Sequence, residues 1–180
     1  ENLNTSIYRN GDPIPTNLNT DTWWNTTSGA WAYYNNDANY ACPYGKLYNW
    51  YACADARQLC PVDWHVPTDA QLTVLINYLG GGSFAGGKMK TTGNLEASTG
   101  LWNSPNTGAT NISGFSGIPA GTRRNDFQEY DFIGQGGYVW SSSENGSPYG
   151  WYRRLVNYND DGARDYTGKR FGYSVRCLRD

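Results

Sequence analysis

The most regular spacing of apolar positions lies in residues 59–80, LCPVDWHVPTDAQLTVLINYLG. Leu72, Leu75, Ile76 and Leu79 fall at i, i+3, i+4 and i+7, one stripe of an α-helix turned toward a core. Thr68 after Pro67 supplies an N-cap, Gln71 completes a capping box, and Gly80 offers the left-handed residue that stops a helix. Leu47, Trp50, Tyr51 and Ala54 repeat at helical spacing in YGKLYNWYACADA and predict a first helix ahead of it. After Gly80 the periodicity fades; Gly, Ser, Thr and Asn dominate as far as Gly121, which predicts loops punctuated by short strands.

Strand signals lie outside these helical stretches. Residues 7–15, IYRNGDPIP, predict a short hairpin with Asn10 and Gly11 in a type I′ turn. Residues 138–142, YVWSS, and 151–156, WYRRLV, predict strands rich in aromatic and β-branched residues. In residues 171–178, Phe171, Tyr173, Val175 and Cys177 alternate with Gly172, Ser174, Arg176 and Leu178, which predicts a closing strand with one apolar face. These elements sum to an α+β fold over residues 1–180, a single domain of two helices, a small antiparallel sheet and long irregular loops.

Composition narrows the class. Aromatics reach 16% against 17% charged residues, which points to a compact aromatic-packed module and away from a disordered acidic segment. The net charge is −2 and no Lys/Arg cluster exceeds pairs such as Arg123-Arg124 and Arg153-Arg154, so no nucleic-acid partner is expected. No apolar run is long enough for a membrane span, and no membrane insertion by this domain is expected. Four cysteines among Asn- and Gly-rich turns suit an oxidising compartment; of three possible pairings, the expected one is Cys60 with Cys177 and Cys42 with Cys53. No cofactor or metal is expected, since one histidine and no CxxC pair make a poor zinc site.

Read together, ENLN, YGKLYNWYA, LCPVDWHVPTDAQ, YLGG with AGGKMK, ATNISGFSGIPAGTR, VWSSSE and FGYSVRCLRD resemble the Fibrobacter succinogenes major paralogous domain, in order and spacing, over essentially the whole chain. The resemblance implies a C-type-lectin-like fold of the formylglycine-generating-enzyme branch. It also implies a fragment of a longer Bacteroidetes-type protein, at the cell surface as an outer-membrane lipoprotein or pilus-associated module. Such domains are similar to the variable proteins of diversity-generating retroelements, whose C-terminal lectin-like segment is rewritten at adenine-rich codons. The corresponding segment here is residues 149–166, YGWYRRLVNYNDDGARDY.

That segment has the composition of a paratope, with Tyr and Trp as rigid contact area and Asn, Asp, Arg and Gly as adaptable hydrogen-bonding groups. The expected ligand contacts are Tyr149, Trp151, Tyr152, Arg154, Asn157, Tyr158, Asn159, Asp160, Arg164 and Asp165, with Leu155 and Val156 structural. The expected partner is a protein or glycan on another cell, a host or a phage. Asn157, Asn159 and Asp161 before Gly162 imitate part of a calcium loop, but Gly168 stands where the bidentate Glu belongs. His65 reads as a structural histidine, and Asp126, Glu129 and Asp131 as solvated turn carboxylates. The expectation is a non-enzymatic, adhesin-like binding module; its rivals are a spacer or pilus-assembly module and a formylglycine-generating-enzyme-like oxidase.

Overall fold

The computed structural model describes residues 1–124 and 129–180. In chain order the regular elements are α1 (Thr20–Asn25), β1 (Trp31–Ala32), α2 (Ala41–Tyr44), β2 (Leu47–Tyr48), α3 (Trp50–Cys53), β3 (Trp64–His65), α4 (Asp69–Tyr78), α5 (Gly82–Met89), β4 (Ala120–Arg123), β5 (Tyr130–Ile133), β6 (Gly136–Glu144), β7 (Tyr149–Val156), β8 (Ala163–Gly168) and β9 (Leu178–Arg179). A few short helices accompany a five-stranded mixed sheet of order β5-β4-β6-β7-β8 and two-stranded pairs β1-β2 and β3-β9. Among the described residues only β4 and β6 run parallel within the large sheet, which is therefore mixed and not the antiparallel sheet expected.

Local signals fix α4. The Thr68 hydroxyl accepts the Gln71 amide at 3.2 Å and Gln71 Oε1 accepts the Thr68 amide at 2.8 Å, closing the capping box. At the other end Gly80 takes φ of 101°, and the amides of Gly80 and Gly81 return to the carbonyls of Asn77 and Ile76, a Schellman stop.

Tertiary contacts override local pattern elsewhere. The first predicted helix breaks: Tyr48 exchanges backbone hydrogen bonds with Tyr173, which draws residues 47–48 into β2, and only the single turn α3 remains helical. Asn49 caps that turn and binds its neighbourhood, accepting the Ala52 and Ala30 amides and donating to the Ser28 carbonyl. The hairpin at residues 7–15 is closed by Gly11 N–H to the Tyr8 carbonyl, with Gly11 alone at positive φ, so the turn is not type I′. Nor is the predicted loop after Gly80 a loop at its start, because α5 follows at once despite its glycines.

The segment predicted as a closing strand makes only single bridges, Gly172 with Arg123, Tyr173 with Tyr48 and Ser174 with Val139. Residues 172–175 are buried on both sides, so the alternation marks a chain threaded between elements and not a two-faced strand. Tyr173 packs there against Trp140, Tyr152 and Tyr138 with ring centroids 4.6, 4.8 and 4.9 Å away, the centre of the larger core. A second core joins Ile76, Leu79, Ala85, Met89, Trp102 and Leu155 on the opposite side of β7.

Cys60 and Cys177 form a disulfide with Cα atoms 5.9 Å apart across 117 residues, tying the approach to α4 to the chain's end. The loop it closes is worth about 4–5 kcal/mol on the chain-entropy account. The expected Cys42–Cys53 bond is absent. Cys42 is exposed, whereas α3 turns Cys53 into the larger core, where burial pushes its thiol well above the ordinary value. Thiol counting on the denatured, non-reduced protein is therefore expected to find two thiols, of which only Cys42 reacts before unfolding; finding none would restore the second bond.

Candidate functional site

Strand β7 lies between β6 and β8, and its alternation sends successive side chains to different cores. Gly150, Tyr152 and Arg154 share the face of the aromatic core; a Cβ on Gly150 would fall 2.4 Å from the Trp50 ring. Trp151, Arg153 and Leu155 share the face covered further along by α4 and α5, where Leu155 joins the aliphatic core.

On that second face the strand ends in an open aromatic array. Tyr149 and Tyr166 are 43% and 49% exposed, and Tyr166 meets both Tyr149 and Trp151 edge-on, with centroids 5.5 and 5.4 Å apart. The Arg164 guanidinium lies 3.4 Å over the Trp151 ring. Its Nε and Nη2 donate to the Asp69 carboxylate at 2.9–3.1 Å, while buried Arg153, directly opposite Arg164 across the ladder, donates to the same carboxylate at 2.6 Å. Arg153 also donates to the Thr73 hydroxyl at 2.6 Å and the Asp69 carbonyl at 3.0 Å. Asp69 opens α4, where the helix dipole favours an anion, and its amide donates to Ser143 of β6. Burial opposes ionisation of Asp69, but Arg164 and Arg153 outweigh it and hold the carboxyl below its ordinary value.

The turn from β7 to β8 is held by its main chain. Lys90, fully buried, donates from Nζ to the carbonyls of Thr107, Val156 and Asn159 at 2.7–2.8 Å. Burial pushes its amine down to about 8 against the pull of the Asp160 carboxylate, while the three carbonyls match the three hydrogens of an ammonium. Gly87 N–H donates to the Asp160 carbonyl, Gly162 N–H to Gly82, and Thr107 N–H to Asn157. A Cβ on Gly86 would fall 2.0 Å from the Asp161 carbonyl oxygen, and one on Gly87 2.4 Å from that of Gly108. Backbone therefore rests on backbone at these two glycines.

The expected contacts thus separate into three groups. Tyr149, Trp151 and Arg164 come together on the open face, joined by Tyr166. Tyr152 does not: it is buried beneath Tyr138, Trp140 and Tyr173, and its hydroxyl is raised by burial and then by the Asp165 carboxylate beside it, so it serves the core. Arg154 and Asp165 lie on that same inner face. Asn157, Asn159 and Asp160 line the docked turn, where Asn157 Nδ2 donates to Ser104 and Asn159 Nδ2 to Asp161, and Tyr158 projects into solvent at 63% exposure. Of the calcium-like motif, Asn159 and Asp161 are thereby engaged with each other and Asn157 with Ser104. Among the described residues no group of three or more His, Cys, Asp or Glu could hold a metal, and no helix is long and apolar enough to cross a membrane.

His65 Nδ1 lies 2.5 Å from Asp180 Oδ1 and Nε2 lies 3.1 Å from Gln71 Oε1, so the ring links β3 to the last residue and the capping box. Hydrogen bonds to these two oxygens raise its pKa. Glu129 and Asp131 pair with Arg123 and Arg124, and Asp126 lies outside the described residues.

The profile of the Fibrobacter succinogenes major domain (Fib_succ_major) matches residues 1–179. The chain belongs to that family. No curated protein and no solved structure matches it significantly. The motifs of this Fib_succ_major chain build the scaffold: AGGKMK supplies the glycine approach and Lys90, LCPVDWHVPTDAQ the disulfide and the cap, and VWSSSE the seat for Asp69. Sequence reasoning missed Asp69 and Lys90. Their signals were an acid at the first position of a capped helix and a lysine inside a glycine and apolar run.

A carboxyl whose folded-state pKa lies below its unfolded one stabilises the fold above that range and loses the contribution as pH falls through it. Asp69→Asn is expected to cost about 2 kcal/mol at neutral pH, with the difference from the parent shrinking as pH falls below 3.8, followed by urea unfolding. Lys90→Met, which leaves three carbonyls unsatisfied, is expected to cost about 2–4 kcal/mol and to speed amide exchange across residues 157–162 more than in α4.

Proposed function

We propose that this domain is a non-enzymatic ligand-binding module of a bacterial surface protein, C-type-lectin-like in architecture, that meets its partner with the open face of β7 and β8. The observation that carries this reading is the array of exposed Tyr149, Tyr166 and Arg164 around half-buried Trp151, with Arg164 held from beneath by Asp69, which Arg153 also binds. Aromatic rings and arginine contribute most to binding where they are held rigid before the partner arrives.

Diversification by a retroelement is part of the proposal, and the way the turn is held supports it. Lys90, Gly87 and Gly162 grip carbonyls and amides of residues 156–162, groups that every residue type possesses. Side chains at 157–160 can change without releasing them, whereas Tyr152 and Leu155 cannot change without opening a core. Population sequencing should accordingly concentrate variation at residues 157–160, 164 and 166.

A second reading, an assembly or spacer module, draws on the exposed apolar side chains Val74, Tyr78 and Phe84 of α4 and α5. The two readings part in one experiment. Beads coated with the domain, mixed with a panel of bacterial and host cells, are expected to adhere to some of them. The triple variant Trp151→Ala, Arg164→Ala, Tyr166→Ala is expected to reduce adhesion at least about tenfold with an unchanged far-ultraviolet spectrum. Unchanged adhesion would remove the β7–β8 face, and self-association lost on replacing Tyr78 and Phe84 would favour assembly.

A further inference from the structure

Beside the open face, and sharing Tyr149 with it, is a cleft of about 360 Å³ lined by Trp24, Tyr51, Pro148, Tyr149, Lys169 and Arg170. Small-molecule sites begin at about this size, roughly 300 Å³. Its walls are rings and its charges are cationic; no Asp or Glu lines it. The two cations differ. Lys169 is neutralised by Glu144 at 2.7 Å and lies 4.4 Å over the Trp50 ring. Arg170 has no ion pair and no hydrogen bond to its guanidinium among the described residues, its Nε is buried without a partner, and its guanidinium carbon stands 5.8 Å from the Trp24 ring centre. The outer guanidinium nitrogens have no acceptor to give up among the described residues, so a ligand acceptor can take them without displacing a protein partner.

We propose that this cleft binds a carbohydrate that carries a carboxylate, a uronic-acid unit of an acidic glycan, with the carboxylate on Arg170 and the sugar ring against Trp24 and Tyr149. The inference rests on the binding-module reading and names the ligand class at one end of its surface. A planar guanidinium meets a carboxylate through two parallel hydrogen bonds, and flat aromatic walls suit the apolar faces of a pyranose.

An acidic peptide fits less well, because extended peptides are captured through free backbone groups. The cleft offers few. Lys169 N–H donates to Pro148 and its carbonyl accepts from Trp50; the Arg170 carbonyl accepts the Trp23 indole; the Gly168 carbonyl accepts Phe171 N–H; Tyr149 N–H donates to Gly146. Recognition is left chiefly to rings, to the Ser147 hydroxyl and to one guanidinium.

The test is calorimetry and tryptophan fluorescence with a tetrasaccharide of galacturonic acid, its methyl ester, and a tetraglutamate peptide. The acid is expected to bind and to perturb tryptophan emission. Its methyl ester and the peptide are expected to bind at least about tenfold more weakly, and Arg170→Gln and Trp24→Ala to lose at least about tenfold in affinity for the acid. Arg170→Lys, which keeps the charge and loses the fork, should recover only part of it. Thermal melts confirm that each variant folds. No binding of the acid, equal binding of ester or peptide, or full affinity in Arg170→Gln would overturn the proposal. The Tyr166→Ala variant separates the two readings. If it abolishes bead adhesion while no uronate binds, the ligand class is wrong and the binding face stands; if neither adhesion nor uronate binding occurs, both fall.

Discussion

A single buried ammonium ties three separate segments of the C-terminal half together. Lys90 ends α5 and gives its three hydrogens to carbonyls of residues 107, 156 and 159, three segments that share no ladder with one another at those points. Each carbonyl would otherwise be shut away from water unpaired, and the charge would be buried without compensation. Trp102 adds its ring 5.5 Å away. The β7–β8 turn is thus seated by a helix that has almost no intrinsic reason to form. Its glycines, poor helix residues, are there because the Asp161 and Gly108 carbonyls approach where a Cβ would stand.

From that seat β7 inherits two jobs. Its Tyr152 closes an aromatic core with Tyr138, Trp140 and Tyr173, its Leu155 closes an aliphatic one with Ile76, Leu79 and Met89, and the strand is the wall common to both. Arg153, between them in sequence, would be an unpaired charge at a buried position. Asp69 at the start of α4 answers it, and answers Arg164 on the neighbouring strand as well. One carboxylate therefore couples the best-defined helix to both strands of the candidate face, and the geometry of that face follows from core packing.

Signals confined to a few adjacent residues were legible in the sequence. Helix α4 could be read with its cap and stop because Thr68, Gln71 and Gly80 act on their own neighbours, and β6 and β7 because their side chains favour strands anywhere. Of the two disulfides preferred among three possible pairings, Cys60–Cys177 forms and Cys42–Cys53 does not. What escaped was decided at a distance. Residues 47–54 look helical until Tyr173 claims the backbone of Tyr48; residues 171–177 alternate like a strand although 172–175 are covered on both sides; α5 is masked by its own glycines. Within the candidate site, composition marked residues 149–166 but could not say which face each would occupy. Tyr152 was grouped with Trp151 although the pleat separates them, and Trp24, Tyr51 and Arg170 join Tyr149 only through the fold.

The surface that results is uneven in charge, and this bears on what it can hold. At the Trp151 end Arg164 is already committed to Asp69, so that end offers ring area and a guanidinium plane but little appetite for an anion. At the Trp24 end Arg170 makes no ion pair among the described residues, whereas its neighbour Lys169 is taken by Glu144. Tyr149 belongs to both ends. A ligand spanning them would lay neutral, flat groups across β7 and β8 and place its negative charge beside Trp24. Affinity and orientation then come from different residues: the rings supply contact area to many partners, and Arg170 selects the ones that arrive with a carboxylate in the right place.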